Sequence, residues 1–448
     1  IDYVYVLKGL TDIRLVFNGS SCVLNDATWS SKCWLPMTGT MVRVLHFKYA
    51  VVDIDLGEIF LKFPIHESLQ DSVGIYLSPF GKQLQEIGLD LGLEGKKEKR
   101  IAAKWNRLCF GLNQSPEHSV TFYYIAEEFV RGNPLDPLNP LCWDRMVLNL
   151  IGNNDFNPIL PNVYKWDSRH QRIAGELIAY VDDLKALGFS LEHAWLIARR
   201  VGSYLQYLGI QDAARKRRLD EGPWAGGMFS TADNRVTKTV TEAKWLKAKT
   251  LIQGLVDNLK EDPEVKLCYK MLERIRGFLC HLAMVYDLIF PYLKGFHLTL
   301  ASHLPHRDPE GWKVSELEWI GYIEDQVEKG MYTRSEGNVM INSEDTSPPQ
   351  MVLPVPRFFS CLKVLTTFFK KDLPPIVNVR LTTCLVIVYG LMDASWSGFG
   401  STLLVKGNIE YRIGTWSSSE YTNSSNWQEF ENLVCDIEQA GNKGWFNN

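Results

Sequence analysis

Tyr180-Val181-Asp182-Asp183 places two adjacent acids between apolar runs, with Leu177-Ile178-Ala179-Tyr180-Val181 leading in and Leu184, Ala186 and Leu187 leading out. This pattern predicts a β-hairpin with both aspartates at its tip. Two carboxylates held side by side repel each other unless positive charge lies between them. Hard oxygen ligands suit Mg²⁺ and the phosphates it carries, so metal-assisted chemistry at a phosphate is the first expectation. Upstream, Val51-Val52-Asp53-Ile54-Asp55-Leu56 alternates apolar and acidic residues. Asp53 and Asp55 then project from one strand face, which must meet water, a cation or a metal.

The elements around these acids can also be read. In Leu108-Cys109-Phe110-Gly111-Leu112-Asn113-Gln114-Ser115-Pro116, Gly111 permits a close backbone approach. Ser115 followed by Pro116 marks a helix start, and the apolar helix Val120–Val130 should stop at Gly132-Asn133-Pro134. The stretch 132–172 has five prolines and few periodic runs, and reads as an insertion. Further on, Trp245, Ala248, Ile252, Leu255 and Leu259 recur at three and four, as do Val265, Cys268, Leu272, Ile275 and Leu279. Two amphipathic helices in a hairpin are expected there.

Asp55-Leu56-Gly57-Glu58-Ile59-Phe60, then Leu108 to Pro116, then Tyr180 to Asp183 resemble, in that order, motifs of the reverse transcriptases of retroviruses and of long-terminal-repeat or tyrosine-recombinase retrotransposons. Arg14-Leu15-Val16-Phe17-Asn18, Leu208-Gly209-Ile210 with Arg215 to Arg218, and Pro223-Trp224-Ala225-Gly226 extend the resemblance. It implies an α+β chain: a right-hand polymerase of fingers, palm and thumb, followed by a truncated α/β ribonuclease H-like module. The expected divisions are 1–230 fingers and palm, 231–300 thumb-like helices, 301–380 connection and linker, and 381–448 partial ribonuclease H-like module.

The resemblance also implies roles. Asp55, Asp182 and Asp183 would hold two Mg²⁺ ions, with Mn²⁺ as a possible substitute. Arg14 and Lys8 would meet a triphosphate, and Lys216 would serve the leaving group. Phe60, Phe110, Gly111 and Tyr180 would line the nucleotide site, with the Phe60 ring excluding a 2′-hydroxyl. Trp224, Ala225 and Gly226 would form the primer grip. Where the family carries a polar residue two places before the motif glycine, this chain has Cys109 then Phe110. Expected partners are dNTPs and an RNA or DNA template-primer. Two other readings stand beside this one. The first is a catalytically silent, retroelement-derived nucleic-acid-binding protein. The second is an RNA-dependent RNA polymerase, which would need a polar residue in place of Phe60.

Near the end, Leu385–Leu391 leads to Met392-Asp393-Ala394-Ser395, followed by two further strand patterns and a helix that opens at Asn426. Its expected buried side is Leu433, Val434, Ile437 and Ala440. Asp393 and Glu429 resemble the first two acids of a ribonuclease H site. The chain stops soon after that helix, so no ribonuclease H activity is expected, and Leu433, Val434 and Ile437 should be more exposed than in a complete fold.

Composition is consistent with a globular chain of 448 residues, 46% hydrophobic, with net charge −4. No apolar run approaches a membrane span and no secretory leader is visible. The chain begins at Ile1, so a fragment is expected. Nine scattered cysteines without a C-x-x-C pair suggest reduced thiols in an intracellular protein, cytoplasmic or nuclear, and not a zinc knuckle. None of the nine histidines has metal-ligand spacing. Basic runs lie at Lys96 to Arg100 with Lys104 and Arg107, at Arg215 to Arg218, and at Lys244, Lys247 and Lys249. Such runs bind phosphate through local density, and the first is expected to matter most because it leads into the Gly111 motif.

Overall fold

A central antiparallel sheet has the strand order Arg218–Leu219, Ala50–Asp55, Asp183–Gly188, Glu176–Tyr180 in the computed structural model. The structure describes residues 3–8, 12–19, 24–29, 34–76, 102–150, 153, 155–219, 222–261, 265–335, 338–340, 347–380, 388–405, 408–417 and 425–445. Two compact units emerge: Ile1–Val147 with Tyr164–Val379, and Leu148–Val163 with Arg380–Asn448.

In the larger unit, strand alternation sorts the central sheet. Val52, Ile54, Leu184 and Ala186 point to one face and are at most 1% exposed. They share a core with Tyr123, Ala126 and Val130 of the helix Gln114–Arg131 and with Ala194, Ile197 and Val201 of the helix Leu191–Tyr207. Burying each of Val52, Ile54 and Leu184 is worth about 1.5–3 kcal/mol relative to exposure. Ser190 caps the second helix by accepting from the His193 amide at 3.2 Å. The opposite face is apolar at one end, where Val51, Ile178 and Leu187 pack with Met41, Leu45, Trp224 and Phe229. Its other end carries the acids.

The first helix starts at Gln114, one residue before the expected Ser115 cap. The Ser115 hydroxyl instead donates to the Cys109 carbonyl at 2.7 Å, beneath the Gly111 motif. The helix runs to Arg131 and ends at Gly132, as the glycine predicts. Part of the stretch read as an insertion forms a three-stranded sheet, Arg145–Leu148, Val163–Asp167 and Arg172–Ile173.

The helices Glu242–Glu261 and Tyr269–Ala283 bury Trp245, Ala248, Ile252, Leu255 and Leu259, together with Leu272, Ile275 and Leu279. Cys268 is the exception; it lies exposed in a short strand ahead of the second helix. Pro356–Phe368, within the stretch read as connection, packs its Phe358, Leu362 and Leu365 into the same core. No helix among the described residues is long and apolar enough to cross a membrane.

The smaller unit contains a three-strand meander, Val388–Ala394, Gly398–Val405 and Asn408–Thr415, followed by the helix Ser425–Asn442. The helix buries a polar stripe, and of the expected apolar side only Ala440 is fully buried. Gln428, Asn432, Asp436 and Ala440 are buried, while Ile437 is 46% exposed and Leu433 and Val434 are half-buried. The cause is Arg412 on the third strand. Its guanidinium donates to Asn432 Oδ1 at 2.9 Å and to Asp436 Oδ1 at 3.2 Å. A half-buried cation needs such partners, so polar residues occupy the helix face above it. Leu391 and Tyr411, which flank Thr402 from the two outer strands, and Ile413, two residues along from Tyr411, are 79%, 74% and 89% exposed.

Candidate active site

The hairpin closes with Tyr180 paired to Asp183, leaving Val181 and Asp182 as its two-residue loop. Asp182 therefore sits at the tip, whereas Asp183 already belongs to the strand. Val181 takes φ 56°, a left-handed conformation that costs a β-branched residue about 1–3 kcal/mol. The Leu56 amide donates to the Asp182 carbonyl at 2.8 Å, which fixes the loop to the end of the Ala50–Asp55 strand.

Register then decides which charges meet. Asp55 lies directly opposite Asp183, and Asp53 opposite Lys185. Arg218, on the far side, pairs in register with Asp53. The two acids of the strand are thus treated differently. Asp53 Oδ1 is 3.4 Å from the Lys185 ammonium, whose side chain is 1% exposed, and Asp53 Oδ2 is 3.3 Å from Arg218. Asp55 Oδ2 accepts from Lys216 Nζ at 3.0 Å in a partly exposed pair. The Asp55 carbonyl also accepts from the Ala213 amide at 2.8 Å, holding the segment that carries Lys216.

Asp183 is exposed as a residue. Even so, crowding by protein, then the charges of Asp182, Asp53 and Asp55, push its carboxyl up to about 6 against a weaker pull from Lys185. The sheet therefore gathers more negative charge here than its cations balance. The expected compact metal cage is nevertheless not formed by the side chains as they stand. Asp55, Asp182 and Asp183 do not bring three ligand atoms within 4.8 Å of one another, although their backbones adjoin. The like charges of the acids disfavour closer approach, and Lys216 occupies one side of Asp55. The donor set itself, three carboxylates, fits Mg²⁺.

The strands Tyr3–Lys8 and Asp12–Phe17 form a hairpin in which Arg14 pairs with Val6. The side chains of Lys8 and Arg14 lie outside what the structure describes, as does the whole Lys96 to Arg100 run. That hairpin is joined to the glycine motif, since the Phe17 amide donates to the Phe110 carbonyl at 2.7 Å. Gly111 has φ 100°, and a Cβ there would lie 1.7 Å from the Phe17 carbonyl oxygen, so only glycine fits. The Phe60 and Phe110 rings meet with centroids 4.9 Å apart.

Trp224 is 2% exposed and packs edge-on against Tyr180 at 6.2 Å, so its ring supports the acid hairpin from beneath. Ala225 and Gly226, at φ 44° and 91°, turn the chain between Pro223–Trp224 and Gly227–Ser230. The other basic residues are largely engaged within the protein. Lys244 donates to the Gly226 carbonyl, Lys249 pairs with Asp372, and Lys247 lies 4.8 Å from the Phe278 ring centre. Arg217 pairs with Asp212, Lys104 with Asp71, and Arg107 donates to the Lys62 carbonyl. In the smaller unit, Asp393 offers its carbonyl to Asn432, and Glu429 stays exposed on its helix. Among the described residues, these two acids belong to no metal-ligand group.

Sequence reasoning missed Lys185, a lysine inside the run Leu184 to Leu187 whose apolar surroundings were the available signal. It also missed a Cys142, Asp167 and His170 group, for which sequence offers only the three-residue spacing of Asp167 and His170.

The described residues form an α+β fold with an acid-bearing antiparallel sheet backed by helices. No protein-family description and no curated protein matches the chain. Solved structures similar to it include the foamy viral protease-reverse transcriptase dRH in complex with ds DNA, at 13% identity and TM-score 0.40, covering 98% of this chain and 55% of that one. The foamy viral protease-reverse transcriptase with RNA/DNA hybrid gives 13% identity and TM-score 0.38, covering 96% of this chain and 42% of that one. Its complex with dsDNA gives 14% identity and TM-score 0.37, covering 99% of this chain and 66% of that one. The chain thus spans about two fifths to two thirds of the proteins it resembles.

Proposed function

We propose that the chain is an RNA-directed DNA polymerase that adds dNTPs to a primer on an RNA or DNA template. The observation that carries this reading is the pairing of Asp55 with Asp183 across two strands, with Asp182 in the adjoining turn. Asp55, Asp182 and Asp183 would hold two Mg²⁺ ions, or Mn²⁺ in their place. When bound, such ions supply charge stabilisation at the triphosphate and lower the pKa of the primer 3′-hydroxyl.

The chain's own residues prepare that site. Lys185 and Arg218 both pair with Asp53, so its carboxylate is engaged by the protein's own cations. Lys216, resting on Asp55, is free to follow negative charge to the leaving pyrophosphate once Asp55 engages a cation. Phe60, braced by Phe110, would close the floor of the sugar pocket against a 2′-hydroxyl. Arg14 and Lys8, carried on the hairpin joined to Gly111, would meet the triphosphate. Tyr180 and Trp224 support the hairpin under the primer end. Ribonuclease H cleavage by Asp393 and Glu429 is not part of this reading.

The test is extension of a DNA primer on RNA and DNA templates by the purified chain, with dNTPs and NTPs offered separately. Mg²⁺-dependent extension with dNTPs alone is expected. Extension with NTPs at a similar rate would replace this reading by an RNA polymerase. Binding of template-primer without extension would leave a nucleic-acid-binding protein.

A further inference from the structure

Away from the acid sheet, one group of metal-ligating side chains among the described residues has all its donor atoms within 4.8 Å: Cys142, Asp167 and His170. Asp167 Oδ2 is its centre. Cys142 Sγ lies 3.5 Å from it, His170 Nδ1 2.5 Å and Arg172 Nε 3.3 Å. Asp167 Oδ1 separately accepts the His170 backbone amide at 3.2 Å. Cys142 and Asp167 are 6% and 4% exposed, whereas His170 is on an accessible turn. The three residues come from different pieces of chain. Cys142 follows the Asn139 turn, Asp167 ends the strand Val163–Asp167, and His170 lies in the turn before Arg172–Ile173.

Two features separate this group from an ordinary carboxylate network. The first is its dimensions. A tetrahedral zinc with Zn–S of about 2.3 Å and Zn–O of about 2.1 Å sets sulfur and oxygen about 3.6 Å apart. Cys142 and Asp167 are already at 3.5 Å. The matching nitrogen–oxygen edge is about 3.4 Å, so the exposed His170 ring need withdraw by only about 1 Å.

The second feature is His193, which is 4% exposed. Its Nε2 must donate to the Pro140 carbonyl at 2.6 Å, because a carbonyl only accepts. Nδ1 then holds a lone pair, and it is buried without a hydrogen-bond partner among the described residues. An unfilled buried acceptor is costly to keep. His193 lines the same cavity, of about 500 Å³, as Cys142, His170 and Arg172.

We propose that Cys142, Asp167 and His170 bind Zn²⁺, with the fourth position open to the cavity that His193 lines. Sulfur and nitrogen donors beside a carboxylate select a borderline-soft ion over Mg²⁺. Thiolate and carboxylate together balance the charge of the ion; binding releases the Cys142 thiol proton to solvent, and the His170 ring carries its proton on Nε2 so that Nδ1 gives its lone pair to the ion. Arg172, held over the Phe189 ring at 4.1 Å, would remain on Asp167 as an outer partner that orients it. The ion would join Cys142 to Asp167, 25 residues on, and so fasten the segment before the acid hairpin to the body that carries it.

The experiment is Zn²⁺ titration of the purified full chain, with X-ray absorption at the zinc edge of the loaded protein. One tightly held equivalent is expected, with a sulfur shell at about 2.3 Å and nitrogen or oxygen at about 2.0–2.1 Å. Cys142→Ser and His170→Ala should each weaken binding at least about 100-fold, since even outer partners are worth 10–100-fold. Asp55→Asn should leave it unchanged, which separates this ion from any held at the acid strand. An absorption spectrum with only light scatterers would overturn the proposal, as would full affinity in Cys142→Ser. If Cys142→Ser does not fold, the wild-type spectrum decides alone.

Discussion

Lys185 is the least expected residue of the acid sheet, and its removal can be worked out from its surroundings. Its side chain is 1% exposed, while that of Asp53 is 20% exposed and has Arg218 as a second cation. Breaking a buried pair costs about 3–5 kcal/mol when the survivor cannot be resolvated. Asp53→Asn leaves a buried ammonium that has lost its ion-pair contact and keeps its other contacts and the weaker attraction of Asp183, and should cost about 3 kcal/mol. Lys185→Met leaves a carboxylate that retains Arg218 and partial access to water, and should cost only about 1–2 kcal/mol. The double variant replaces both charges and should recover most of the Asp53→Asn loss. Urea denaturation of all four proteins, followed by fluorescence and by circular dichroism, gives these values. A smaller loss for Asp53→Asn than for Lys185→Met would refute the reasoning, and so would simple addition in the double variant.

Other expectations are independent of that pair. Burial raises the Glu176 carboxyl, but Arg131 and Lys165 outweigh it and hold it below the ordinary glutamate range. Its folded value is thus below its unfolded one, so its stabilisation is full above about pH 4.3 and is lost as pH falls through the folded value. Urea midpoints measured between pH 7 and 3 should fall less steeply in Glu176→Gln than in wild type. Gly111→Ala should cost about 2–4 kcal/mol through backbone strain and the lost Phe17–Phe110 hydrogen bond. Faster hydrogen exchange at the Phe17 amide would register the damage, and unchanged exchange would show that the close approach is dispensable. Phe60→Val should raise ribonucleotide incorporation relative to deoxyribonucleotide by about tenfold or more, equivalent to about 1.4 kcal/mol. Competitive primer extension measures this ratio, and no change would remove Phe60 from the sugar pocket.

The sequence made the local periodicities legible. Alternation in Val51 to Leu56 placed Asp53 and Asp55 on one strand face, and the pattern around Asp182 announced a hairpin. The glycine at 111 signalled a close contact, and the three-and-four spacing of Trp245 to Leu259 signalled a buried helix face. Long-range partners were not legible. Which cation neutralises which acid depends on a cross-strand register, and a shift of one residue would turn Lys185 to the opposite face. The polar stripe of the Ser425–Asn442 helix answers to Arg412 on another strand, which no helical pattern reveals. Val181 at positive φ contradicts its own propensity and is held by the Leu56–Asp182 hydrogen bond beside it. Cys142 meets Asp167 and His170 only after two turns and two strands have formed.

The central claim is that Asp55 belongs to the reacting site while Asp53 serves its support. Single-turnover extension of a DNA primer on an RNA template, with Mg²⁺ and dNTPs, tests it most directly when run on wild type, Asp55→Asn and Asp53→Asn at a temperature where all three remain folded. The account predicts rapid extension by wild type, none by Asp55→Asn, and a reduced but measurable rate for Asp53→Asn. Extension by Asp55→Asn at the wild-type rate, or no Mg²⁺-dependent extension by folded wild-type protein, would contradict it.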